Sequence, residues 1–194
     1  MKRRNMLWVA TCFALFIGLV LIQPIASATT FELIAPSPVI KTYQELTDYK
    51  LFVISSPGWA SAPGDVTAPL QYVGDGNEAS DYSGFISGNI ALIQRGGTNF
   101  GTKVNLADFY GAVGAIIYDN TNLFPPVTLD PETFIPSIFV TDDVGAELLN
   151  YIYGNPLALT TVTAHINTNV PEPVTMLLLG FGLVGLAGVR RFRK

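Results

Sequence analysis

Cysteine and histidine are all but missing from this chain, with one of each in 194 residues: Cys12 and His165. A lone cysteine excludes an intramolecular disulfide, so the fold is expected to rest on core packing. With so little to draw on, no Ser/His/Asp or Cys/His nucleophilic constellation is expected, and no zinc site of ordinary ligands. The 15 acidic residues could supply a carboxylate pair, but no spacing singles one out. The expectation is therefore no catalytic residue, no cofactor and no enzyme. Charge is also scarce, at 13% of residues, and there is no low-complexity stretch or internal repeat.

Basic residues are scarcest in the middle. Of 11 Lys and Arg, Lys2, Arg3 and Arg4 stand near the start and Arg190, Arg191, Arg193 and Lys194 at the end. That leaves Lys41, Lys50, Arg95 and Lys103 against 15 acids over residues 29–173, a formal charge of −11. A surface of that sign repels phosphate backbones, which excludes a nucleic-acid partner.

What is present begins with two apolar ends. After the basic start, an apolar run from Met6 to Ile22 leads to Ala26-Ser27-Ala28, the layout of a secretory leader cut after Ala28, with Ala26 and Ala28 as the small residues of the cleavage site. Cys12 would leave with it. At the other end Val170-Pro171-Glu172-Pro173 precedes an uncharged run over 174–189 and the basic cluster Arg190, Arg191, Arg193 and Lys194. The run is just long enough to span hydrocarbon. The basic cluster would stay cytoplasmic, which puts the acidic domain on the exported side. Both prolines disfavour helix, so the segment around Glu172 is expected to be extended and open to a protease.

The Pro-Glu-Pro, the Gly- and Leu-rich span and the basic end together resemble the PEP-CTERM sorting signal of Gram-negative bacteria. The resemblance implies an exosortase that cuts near Val170, Pro171, Glu172 and Pro173. It also implies an inner-membrane precursor facing the periplasm, with delivery to the cell surface or a biofilm matrix. The chain thus divides into a leader (1–28), a middle domain (29–168) and a sorting tail (169–194).

In the middle, the apolar runs 51–54, 90–93, 115–118 and 137–140 read as buried strands, and 70–73 as a half-exposed one. Phe100, Val104 and Ala107 make the face of a helix capped at Thr98 or Asn99 and stopped by Gly111. Strand, helix and strand over 90–118 predict a parallel pair. Thr141 reads as the cap of a second helix with Val144, Leu148 and Ile152 buried, ending at Gly154. A last strand alternates Val162, Ala164 and Ile166 against Thr161, Thr163 and His165; it reads as an edge with the histidine solvated.

The blocks 66–74, 88–97, 111–120 and 135–140 resemble, in order, the protease-associated (PA) domain. The resemblance implies an α/β fold of the PA-type swivelling β/β/α kind, with mixed β-sheets forming a partly closed barrel flanked by two main helices. It also implies a domain that sits beside a protease active site and guides substrates or partners without catalysing. Many relatives carry Cys where this chain has Thr98, so the disulfide some of them form is missing.

Three candidate sites follow. Asp75, Asn77, Glu78 and Asp81 crowd oxygen ligands into one loop, a weak calcium candidate that fits no EF-hand; the alternative is a solvated loop. Arg95, Gly96 and Gly97 could bind an anion, or form a turn with Arg95 paired to an acid. Phe124, with Pro125, Pro126 and Phe134, could expose an apolar patch or pack on the core. Two functions remain open: a non-catalytic module recognising a protein, peptide or polysaccharide, or an accessory that guides a secreted peptidase in trans.

Replacing Pro171, Glu172 and Pro173 together by alanine is expected to leave a full-length precursor in the membrane fraction. Immunoblotting of fractionated cells reads this, and unchanged processing would refute the exosortase reading.

Overall fold

Ile90–Gln94, Gly114–Tyr118 and Ser137–Val140 are short, almost wholly apolar runs, and each is buried on both faces, as parallel strands require. The structure is a computed structural model that describes residues 29–35, 41–52, 61–121, 123, 125, 127–154 and 161–169. In chain order the elements are β1 (Thr30–Ala35), β2 (Lys41–Tyr43), β3 (Tyr49–Leu51), β4 (Asp65–Tyr72), a 3₁₀ turn (Ala79–Tyr82), β5 (Ile90–Gln94), α1 (Phe100–Phe109), β6 (Gly114–Tyr118), β7 (Ser137–Val140), α2 (Asp142–Tyr153) and β8 (Thr163–Asn167).

The strands form one mixed sheet in the order β2-β1-β8-β4-β5-β6-β7-β3. Residues 65–69 of β4 pair antiparallel with β8, and residues 70–72 pair parallel with β5. The change of partner falls at Pro69, which has no N–H to give, and the Leu70 N–H goes to the Val162 carbonyl at 2.8 Å. β5, β6 and β7 continue in parallel, and β3 closes that side antiparallel to β7.

β2 and β3 lie at opposite ends of this order, yet only Gln44–Asp48 separate them in the chain. Asp48 pins the turn by accepting the Gln44 N–H on Oδ2 and giving its own N–H to the Gln44 carbonyl, both at 2.8 Å. The sheet therefore curls back on itself into a barrel that is only partly closed. Across its interior Phe31 stacks on Tyr43 (4.4 Å) and meets Tyr49 edge-on (5.9 Å), and the Tyr49 hydroxyl donates to the Thr29 carbonyl at 2.9 Å.

Two apolar layers result. The barrel side gathers Phe31, Leu70, Leu92, Ile116 and Ile138 with Val144 and Leu148 of α2. The other gathers Ile93, Ile117 and Phe139 with Val104 and Ala107 of α1. α2 starts as expected, with the Thr141 hydroxyl accepting the Val144 N–H at 3.3 Å. α1 begins after Asn99, whose side chain makes no cap.

Three expectations need correction. The first strand of the middle domain is not 51–54: β3 ends at Leu51, Phe52 is buried beyond it, and 53 and 54 lie outside the described residues. β1, where Thr30 and Glu32 alternate with buried Phe31 and Leu33, and the three-residue β2 are strands that the sequence reading does not include; β1 pairs with both β2 and β8. β8 is an interior strand between β1 and β4, so His165 is held by neighbours on both sides.

α2 approaches β6 at Gly145, where an added Cβ would lie 2.5 Å from the Cβ, Cγ and Cδ2 atoms of Tyr118. Gly145→Ala is expected to cost about 2 kcal/mol by overpacking, read by urea denaturation. A second expectation concerns alkali. Burial raises Tyr43, Tyr82 and Tyr118 well above their ordinary 10.0. The folded state keeps these protons when the unfolded chain begins to lose them. Stability is thus fully present below pH 10 and falls as pH rises above it, and Tyr82→Phe flattens that fall.

Candidate functional site

The carboxyl ends of β4, β5, β6 and β7 lie side by side, on the edge where open α/β sheets hold ligands. Three groupings occupy it.

The first surrounds Lys103. This side chain is fully buried, and its ammonium donates to the Asp75 carbonyl, to Asn77 Oδ1 at 2.8 Å and to the Gln94 carbonyl at 3.2 Å. All three ammonium protons are thereby used. Burial lowers the Lys103 pKa from its ordinary 10.5, and the carboxylates of Asp75 and Asp81 act in the opposite sense. Asp81 Oδ2 accepts the N–H groups of Asn77 at 2.7 Å and Glu78 at 3.0 Å, closing a capping box at the 3₁₀ turn. The calcium candidate is thus one loop, as its spacing suggested, in which Asn77 Oδ1 and the Asp75 carbonyl serve a built-in cation and Asp81 Oδ2 serves the backbone. Among the described residues no group of three or more His, Cys, Asp or Glu is placed to hold a metal ion. Sequence reasoning gave Lys103 no site role. Its signal was a charge on the apolar stripe of a helix, between Phe100 and Val104.

The second grouping joins the ends of β5 and β6. Arg95 Nη1 donates to Asp119 Oδ1 and to the Thr121 hydroxyl, each at 2.8 Å. Asp119 is fully buried and also accepts the N–H groups of Asn120 (2.8 Å) and Thr121 (3.2 Å). Asn120 Nδ2 returns a bond to the Arg95 carbonyl at 3.1 Å. Arg95 is therefore a clamp between strand ends. Gly96 and Gly97 make the turn at φ 126° and 80°. A Cβ at Gly97 would overlap the Asn77 side chain, which ties this turn to the Lys103 loop.

The third was not anticipated. Tyr118 and Tyr72 both give their hydroxyls to Gln94 Oε1, at 2.8 and 3.2 Å, with the two hydroxyl oxygens 3.3 Å apart. Tyr153 of α2 meets Tyr72 edge-on at 6.3 Å and is 66% exposed. Burial, then the bond from Tyr72, raises the Tyr118 pKa. The result is an aromatic shelf with a polar rim, suited to contact with a peptide or a sugar face. Its only trace in the chain is that three successive parallel strands end on Tyr72, Gln94 and Tyr118.

His165 stands apart, on β8. Its Nε2 lies 2.7 Å from Asp65 Oδ1 and its Nδ1 3.5 Å from Glu32 Oε2. The two carboxylates use opposite ring nitrogens, so they brace the ring across three strands and do not converge on one point. The expectation of a solvated histidine is corrected accordingly, since the side chain is 20% exposed.

In the loop from Asp119 to Pro136, Val127, Leu129 and Ile135 are buried, and Leu123 and Phe134 are exposed. Phe124, Ala26, Ala28, Val170, Pro171, Glu172, Pro173, Arg190, Arg191, Arg193 and Lys194 lie outside the described residues, as does the span 174–189. Among the described residues no helix is long and apolar enough to cross a membrane.

Comparison with known proteins bears on this architecture. The PA domain model matches residues 66–148, and the PEP-CTERM protein-sorting motif matches residues 169–194. An aminopeptidase of Pseudomonas aeruginosa (strain UCBPP-PA14) is 40% identical over 99 residues, covering 42% of this chain and 18% of the relative. The E3 ubiquitin-protein ligase RNF130 of Rattus norvegicus is 32% identical over 125 residues, covering 58% of this chain and 28% of the relative. Among solved structures, an aminopeptidase from Aneurinibacillus sp. strain AM-1 superposes with a TM-score of 0.57 at 28% identity, over 74% of this chain and 31% of that one. A zinc aminopeptidase from Bacillus subtilis, at 23% identity and a TM-score of 0.52 over 72% of this chain and 29% of that one, shares the fold. This chain spans less than a third of the length of each.

Lys103→Met is expected to cost about 3 kcal/mol, because it leaves the Asp75 and Gln94 carbonyls and Asn77 Oδ1 without their donor. Urea denaturation gives the number. Hydrogen exchange at residues 74–82 is expected to accelerate more than exchange in β8. Calcium titration of the wild-type protein by calorimetry is expected to show no heat up to millimolar metal.

Proposed function

Proceeding from a chain that is an exported, sorted PA-domain protein, we propose that it is a non-catalytic recognition module. It presents the carboxyl edge of β4–β7 to a protein, peptide or polysaccharide at the cell surface or in the matrix. The observation that carries this reading is how the ionisable groups of that edge are used. Asp119 is buried under Arg95, and the Lys103 ammonium is committed to three oxygens. A general base must keep a lone pair within reach of a substrate proton, and a carboxylate holding an arginine and two amides does not. What the edge leaves open is recognition surface: the Gly96-Gly97 turn, the rim of Arg95 and the ring of Tyr153.

The ends complete the proposal. The leader is removed after Ala28, and residues 174–189 hold the precursor in the inner membrane of a Gram-negative cell with Arg190, Arg191, Arg193 and Lys194 in the cytoplasm. The sorting motif implies processing by an exosortase, near Pro171-Glu172-Pro173. The processed domain has four basic residues against its acids, which keeps it soluble and repelled by anionic surfaces.

A second reading has its own support. Peptidases are among the relatives, and this chain matches only a fraction of their length. That reading is a PA domain acting in trans on a separate secreted peptidase, to guide or restrict its substrates.

Affinity capture on the processed protein from culture supernatant separates the two. Glycan or matrix proteins alone favour the first, and a peptidase whose specificity changes on binding favours the second. Turnover of peptide substrates by the purified protein that disappears in Asp119→Asn would overturn the non-catalytic reading.

A further inference from the structure

The opposite edge of the parallel strands carries a different kind of surface. Ile86 (63% exposed) precedes β5, Val113 (36%) precedes β6, Phe134 (71%) precedes β7, and Phe109 (79%) ends α1. Backbone hydrogen bonds join these segments side by side. The Gly88 N–H goes to the Gly111 carbonyl at 2.8 Å, Val113 to Asn89 at 3.0 Å, and Ala115 to Pro136 at 2.9 Å. The four side chains thus belong to one edge.

The chain leaves the domain at this same edge. Thr168 donates its N–H to the Gly64 carbonyl at 2.8 Å and its hydroxyl to the Ala62 carbonyl at 2.7 Å. Ser61 Oγ in turn accepts the Ser137 N–H at 2.7 Å, and Gly64 lies against the Pro136 ring. Asn169 is exposed and is the last residue described. From Asn169 to Val174, where the uncharged run begins, the chain can reach at most about 18 Å.

Charge supports the same assignment. None of residues 61–64, 84–89, 110–113, 133–136 and 167–169 is Lys, Arg, Asp or Glu, although the chain holds 15 acids. Asp65, Asp108 and Glu132 border the edge without entering it. Asp75, Asp119, Asp142 and Asp143 lie at the far ends of the strands.

We infer that, while the tail holds the precursor, the edge bearing Ile86, Phe109, Val113 and Phe134 rests on the lipid surface. This rests on the reading of 174–189 as a membrane span. Four exposed apolar side chains without a basic partner bind lipid weakly in free solution, but a tether of five residues makes the encounter intramolecular. An edge free of carboxylates is also the one an acidic domain can bring to an anionic leaflet without repulsion.

The test uses the full chain with Cys12→Ser, reconstituted into vesicles of phosphatidylethanolamine and phosphatidylglycerol. A small fluorophore is placed by Phe134→Cys, Phe109→Cys, Leu123→Cys or Gly182→Cys and challenged with nitroxide-labelled lipid. Circular dichroism checks each fold. Quenching at 134 and 109 is expected to exceed that at 123 at least threefold, with strong quenching at 182. Quenching at 182 with 134 and 109 no different from 123 overturns this inference and leaves the span intact. No quenching at 182 removes the span and this inference with it. Shielding at 134 and 109 that grows with protein density without lipid quenching assigns the edge to a second copy and overturns the lipid contact.

Discussion

One buried cation organises the functional edge. Lys103 rises from the first turn of α1 into the space between the loop after β4 and the end of β5, where it meets two carbonyls and an amide oxygen. In a low-dielectric interior an ammonium without partners would be untenable, so the loop over residues 74–78 must stay where it is for the helix to pack. Asn77, held by that ammonium, occupies the space that leaves room only for glycine at 97. The conformation of the turn bearing Arg95 therefore follows from the lysine. Of the loop whose composition suggested a metal, Asn77 and the Asp75 carbonyl are bonded to this ammonium.

The rest of the fold serves to bring that edge and its opposite into register. β4 belongs to the antiparallel half of the sheet at one end and the parallel half at the other, and it changes allegiance at a residue that cannot donate a hydrogen bond. The short turn over Gln44–Asp48 returns the outer strands to each other, so Phe31 and Tyr49 meet inside the barrel. Without that closure β1 and β2 would be a hairpin with one apolar face exposed, and β8 would be the edge that its alternation suggested.

The two ends of the parallel strands then differ in chemistry. Carboxylates, the arginine clamp and the tyrosine shelf gather at the carboxyl ends. The amino ends carry apolar side chains on uncharged loops, beside the exit toward the sorting tail. The two ends of the domain therefore offer different chemistry to whatever approaches them.

Much of this was legible in the residues. Apolar runs of four or five between turn residues marked β5, β6 and β7, because strands buried on both faces need nothing else. The Thr141 cap and the Val144, Leu148 and Ile152 stripe marked α2, and the Pro-Glu-Pro with its span and basic end marked the tail. Those are local signals, set by backbone preference, helical period and the order of residues within a short stretch of chain. The pairing of β1 and β2, the interior position of β8 and the convergence of Tyr72, Gln94 and Tyr118 left no such mark. Nor did the commitment of Asp119 to Arg95, or of Asn77 to Lys103. The side-chain contacts among these join residues 22 to 46 positions apart along the chain, and parallel pairing of β4, β5 and β6 sets the strand ends beside one another. By itself the sequence determined which segments fold and carried the sorting motif. Tertiary structure alone decided which charges are spent on holding the domain together and which side chains are left exposed.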